Sequence, residues 1–86
     1  MIRHVELGAT PISRLRTLSA LVGIGRVSLG GNRPGKIYGL LTCRAGKRMN
    51  VANRVFFSDE AEAILAGFRP CAVCLPAQYK AWQREQ

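Results

Sequence analysis

Eighty-six residues, 48% of them hydrophobic and 21% charged, suffice for one small domain and are too apolar for a disordered chain. Three cysteines are an odd number and exclude a fully paired disulfide framework, while the apolar run LSALVGIG is too short to cross a bilayer. Thirteen Lys and Arg against five Asp and Glu leave a formal charge of +8, a one-signed potential that suits a polyanion, of which nucleic acid is the commonest.

The first predicted element is a helix in TPISRLRTLSALVG. Thr10 is its N-cap, Pro11 takes the first helical position and Gly23 lies just past the end. Ile12, Leu15, Leu18, Leu21 and Val22 recur at helical spacing, which predicts one stripe facing a core with Arg14 and Arg16 outside. The same helix start argues against reading the Arg-rich, acid-poor residues 7–35 as a transit peptide, so a cytoplasmic location is expected. In RVSLGGNRPGKIYGLLTC the pattern predicts a short strand, a Gly- and Pro-rich turn exposing Arg33 and Lys36, and a second strand ending at Cys43. The polar, basic RAGKRMNVAN connects it to a third strand in NRVFF. Ser58 then caps a helix with Asp59 and Glu60 in its first turn, Ala61, Ile64 and Leu65 on its buried side, and Gly67 at its end. Pro76 opens a last short helix, in which Tyr79 and Trp82 are expected to anchor packing. Without repeats or a linker, this order predicts a single α+β domain over residues 1–86, a short antiparallel sheet with flanking helices.

The basic charge is concentrated. No Asp or Glu lies between Leu7 and Ser58, whereas Arg14, Arg16, Arg26, Arg33, Lys36, Arg44, Lys47, Arg48 and Arg54 all do. A solvated face that keeps a small protein soluble would account for the same composition. Arg44, Lys47 and Arg48 directly follow Cys43, however, and that clustering favours a phosphate-binding role.

In GFRPCAVC, Cys71 and Cys74 have the spacing of half a tetrahedral metal site, and Pro70 stiffens the backbone that presents them. Redox thiol pairs share the spacing but usually open a helix after a strand; here the pair follows a helix, and metal is the preferred reading. Cys43, 28 positions upstream at the end of a predicted strand, is the expected third ligand. His4, the only histidine, is the candidate fourth in a Cys3His site. The alternatives are an open site and a metal-free one.

The segment NRVFFSDEAEAILAGFRPCAVC, residues 53 to 74, resembles the Ada metal-binding domain family, the amino-terminal metal domain of the adaptive-response DNA repair protein. The shared pattern is an Asn, a paired Phe-Phe at a strand end, an Ala-rich helix, then Gly-Phe-Arg-Pro-Cys-x-x-Cys. KIYGLLTCRAGKR is similar to the family's upstream strand, which ends in a Cys-Arg segment, so the resemblance runs from 36 to 74. It implies a zinc ion held by cysteines and DNA as partner. It also implies transfer of a methyl group from a methylated backbone phosphate to one thiolate in a single, irreversible turnover. By position Cys71 and Cys74 match the second ligand pair, and Cys43, in its Cys-Arg context, matches the methyl-accepting member of the first. The family places a further cysteine four residues later, where this chain has Lys47, whose ammonium must lose a proton before it can ligate.

The expected function is a small zinc-binding domain that contacts nucleic-acid phosphates, DNA first, through Arg33, Lys36, Arg44, Lys47 and Arg48. Cys43 would be an alkyl acceptor used once, at most, and not a turnover catalyst. The competing expectation is a structural or interaction module, with or without zinc, whose basic surface meets protein or RNA, since Lys47 makes the site less anionic. No membrane partner or small-molecule substrate is expected.

Overall fold

The computed structural model describes residues 1–43 and 50–86, so Arg44, Lys47 and Arg48 lie outside the described residues. The described chain runs β1 (Ile2–Arg3), a 3-10 helix (His4–Leu7), α1 (Pro11–Gly23), β2 (Leu29–Asn32), β3 (Ile37–Leu40), a second 3-10 helix (Val51–Asn53), β4 (Arg54–Phe57), α2 (Glu60–Leu65), β5 (Arg69–Pro70) and α3 (Pro76–Arg84). This is the expected α+β class. The strands form one sheet in the order β1-β4-β2-β3-β5. The first four pair antiparallel as expected, but β5 joins β3 in parallel, so the sheet is mixed. Among the described residues no helix is long and apolar enough to cross a membrane.

β4 lies inside the sheet and is covered on both faces, as its unbroken Val55-Phe56-Phe57 run requires. Strand alternation sends Val55 and Phe57 to one face, where they meet Tyr38, Ala63 and Phe68, and Phe56 to the other, where it meets Leu7 and Val27. α1 covers part of the second face. Thr10 caps it as expected, in a reciprocal capping box with Ser13. Only Leu18 and Leu21 of the expected stripe reach the core, while Ile12 and Leu15 are 67% and 63% exposed. The covered side is that of Arg14, Thr17, Leu18 and Leu21, three and four residues apart, and Arg14 is half-buried with Nη1 donating to Gly8 O at 3.3 Å.

Several boundaries differ from those the sequence predicts, each for a local reason. Gly30 and Gly31 belong to the β2 ladder, opposite Gly39 and Tyr38, and not to the turn. β3 stops at Leu40, and a turn closed by Cys43 N–H donating to Leu40 O at 3.1 Å carries the chain on to Cys43. Asp59, not Ser58, caps α2, because its carboxylate accepts from Glu62 N–H while Ser58 N–H and Oγ–H donate to the Glu62 carboxylate. This six-residue helix buries Ala63 in place of Ala61, Ile64 and Leu65, since one short turn rests on the core. Gly67 ends it as expected. Its φ of +87° lets Phe68 N–H return to Ala63 O at 3.1 Å, and the chain then drops Phe68 into the core and lays Arg69-Pro70 beside β3.

Candidate metal centre

Three short segments meet at the β5 edge of the sheet. Cys43 arrives from the turn after β3, Cys71 directly follows β5, and Cys74 sits in the turn that leads to α3. Backbone bonds hold these segments together: Arg69 N–H to Lys36 O and Cys71 N–H to Tyr38 O, both 2.8 Å, and Leu75 N–H to Cys71 O, 3.0 Å. The three sulfurs lie within 4.8 Å of one another, and Cys43 Sγ is 3.8 Å from Cys71 Sγ. All three thiols are free.

The spacing fits zinc. Zinc–sulfur bonds of about 2.3 Å in a tetrahedron put neighbouring sulfurs about 3.8 Å apart, which is the Cys43–Cys71 separation. Gly39 completes the cradle. A Cβ on Gly39 would stand 2.6 Å from Cys74 Sγ and 3.2 Å from Cys71 Cβ, so the cysteine side chains occupy the space a side chain there would take. Next to it, Leu40 N–H donates to Cys74 Sγ at 3.3 Å. Sequence reasoning passed over Gly39. Its signal was a lone glycine inside a strand pattern, which marks a close approach to the backbone.

Two of the thiols differ in their electrostatics. Burial pushes the Cys71 thiol up, but the backbone N–H groups of Cys74 and Val73 and the Cys43 and Cys74 thiols directed at its sulfur outweigh burial and hold it below the ordinary thiol value. Cys74 goes the other way, to about 11: burial acts first, the Leu40 N–H opposes it, and the neighbouring thiols and the charge on Cys71 reinforce it. One negative sulfur is thus tolerated and a second resisted. A cation at the centre of the three removes that conflict.

His4 stands outside this cluster. It follows β1, at the sheet edge opposite β5, and its ring meets Phe56 edge-on at 5.2 Å. Arg33 and Lys36 are exposed in the β2–β3 turn, at the start of β3, whereas Cys43 follows its other end. Gly30 and Gly31 are hydrogen-bonded strand residues, so the turn that carries Arg33 and Lys36 begins only after Asn32. Arg69 was also missed. Its guanidinium lies 5.3 Å from the Tyr79 ring centre and 5.7 Å from that of Trp82, so the expected aromatic anchors of α3 hold the strand that leads into Cys71.

A cleft of about 190 Å³ opens beside the sulfurs, on the sheet face shared with α1. Cys43, Cys71, Gly39, Gly30, Leu41 and Leu18 line it near the cluster, and Asn32 and Arg54 lie at its far end.

Comparison with known proteins agrees with this geometry. The family described as the metal binding domain of Ada matches residues 28–77. The solved structure described as the DNA methyl phosphotriester repair domain of E. coli Ada is similar to the chain with a TM-score of 0.54 and 28% identity, over 83% of this chain and 77% of that one. No curated protein sequence matches.

Proposed function

The chain belongs to the Ada metal-binding domain family, a zinc-binding family, and we propose that it holds zinc through Cys43, Cys71 and Cys74 and offers Cys43 as the acceptor of alkyl groups from DNA phosphotriesters. The observation that carries the reading is the cluster itself, three sulfurs at zinc spacing with a cleft reaching two of them. Bound zinc keeps thiolates deprotonated, and so nucleophilic, at neutral pH.

The three sulfurs differ in what surrounds them. The Leu40 amide donates to Cys74 Sγ, and such a bond draws charge from a sulfur. Cys43 Sγ lies 3.8 Å from Cys71 Sγ, and Cys43 lines the cleft. Cys43 is the thiolate that we take an electrophile in the cleft to meet. In the transfer the sulfur lone pair forms the S–C bond, the C–O bond of the ester breaks, and its electron pair leaves on the phosphate oxygen as an ordinary phosphodiester. No proton moves. The thioether is stable, so each molecule acts once.

Arg44, Lys47 and Arg48 adjoin the acceptor in sequence and are the proposed phosphate contacts there. Arg33 and Lys36, in the turn at the start of β3, are proposed to meet a further stretch of the same duplex. The test is mass spectrometry of the zinc-loaded protein after incubation with duplex DNA carrying methyl phosphotriesters. One added methyl mass on the Cys43 peptide is expected. Protein that binds both zinc and DNA yet gains no mass would instead be the structural module that Lys47 favours.

A further inference from the structure

We infer that the cleft between α1 and the cysteine cluster is an alkyl pocket that takes phosphotriester alkyl groups longer than methyl, an inference that rests on the acceptor role proposed for Cys43. Cys43 is only 8% exposed, and Cys43 and Cys71, not Cys74, line the cleft, so an electrophile reaches them through it. The floor is backbone. Gly30 carries no side chain, which leaves a trough between Phe56 and Leu41 that is also lined by Leu18, while the cysteine side chains fill the space over Gly39 at its thiol end. A methyl group is about the size of a water molecule, whose share of liquid volume is about 30 Å³. The cleft, at about 190 Å³, is several times larger.

Its chemistry is graded along its length. Next to the thiols the lining is aliphatic and aromatic, and two residues further along the strands the polar pair Asn32 and Arg54 joins Ile37. Asn32 Oδ1 is buried and accepts no hydrogen bond among the described residues. A short linear alkyl chain matches this arrangement. Its first carbon faces Cys43 Sγ, and its remaining methylenes lie over Gly30 and run towards Asn32 and Arg54. The bond changes are those of methyl transfer: the S–C bond forms, the C–O bond breaks and the phosphodiester leaves with the electron pair, whatever the length of the chain.

The test is a series of duplexes carrying one methyl, ethyl, n-propyl or n-butyl phosphotriester, with transfer followed by intact mass on zinc-loaded protein. Intrinsic reactivity falls with chain length, so the readout is each protein's own butyl-to-methyl rate ratio. Gly30→Val puts a branched side chain on the floor, and its Cβ has ordinary neighbours, Leu41 Cδ2 at 3.6 Å and Phe56 Cδ1 and the Val55 carbonyl oxygen at 3.9 Å. It is expected to lower the ratio about fourfold for each methylene that no longer fits, the change that corresponds to burying one methylene. Leu41→Ala widens the cleft and is expected to raise the ratio. Ratios that are the same in all three proteins, or transfer of methyl alone by the wild type, would overturn the alkyl pocket. If no group is transferred, methyl included, the acceptor role fails and the cleft is decided by amide NMR shifts. Titration with n-butyl dimethyl phosphate should then move Gly30, Gly39 and Leu41 more than trimethyl phosphate does, and equal movement overturns the pocket.

Discussion

Gly39→Ala is the sharpest probe of the metal centre, because it adds one methyl group and removes no ligand. The new Cβ would stand 2.6 Å from Cys74 Sγ, and ordinary contact begins at 3.4 Å, so the sulfur or the strand must give by about 0.8 Å. Metal–ligand distances tolerate about 0.2 Å. The same shift weakens the Leu40 N–H bond to Cys74 Sγ. Removing a group that supports a ligand typically costs 10- to 100-fold in metal affinity, and overpacking a filled site costs about 1–3 kcal/mol. Zinc affinity, measured by competition with a chromophoric chelator, is therefore expected to fall at least tenfold, and the thermal midpoint to fall more with zinc than without it. Gly30→Ala is the control, since its Cβ has ordinary neighbours at 3.6 Å and 3.9 Å on the same sheet face. If Gly39→Ala bound zinc as tightly as Gly30→Ala does, the sulfur cradle would be wrong.

Cys71→Ser should release the metal and lower the midpoint, because zinc binding is coupled to folding; elemental analysis falling from about one zinc per chain checks it. Arg69→Ala removes the cation over Tyr79 and Trp82 and should cost about 1 kcal/mol in urea denaturation, with Arg69→Lys recovering part; an unchanged midpoint would show that α3 is held otherwise. His4 is kept below the ordinary imidazole value by burial first and by the charges of Arg54 and Arg14 next. The folded protein then binds fewer protons than the unfolded chain, so stability is unaffected well above pH 6.5 and declines as the pH falls through it. His4→Phe should flatten that decline, and an identical pH profile would refute the assignment. Finally, Arg44→Ala with Arg48→Ala should flatten the log–log salt dependence of DNA binding by about 1.8, about 0.9 for each phosphate no longer neutralised. An equal effect from Arg16→Ala with Arg26→Ala, both exposed, would make the attraction diffuse.

Elements governed by short-range rules were legible in the sequence. Thr10-Pro11 and Gly67 marked helix ends because caps depend on a handful of neighbouring residues. The apolar run of β4 was readable because burial on both faces leaves no alternation to misread. Exposed helix faces were not: Ile12 and Leu15 have the right period for a core stripe, but which side of α1 meets the sheet depends on how the sheet is built beneath it.

For the site itself, the Cys71–Cys74 spacing was enough to suggest a metal, since two ligands in one turn are a local property of the chain. The company those two sulfurs keep is not local. Cys43 joins them and His4 does not because β5 pairs with β3 in parallel at one edge of the sheet while β1 closes the other. Gly39 matters for the same reason: only once β5 is laid beside β3 do two cysteine side chains come to rest where its own would have been.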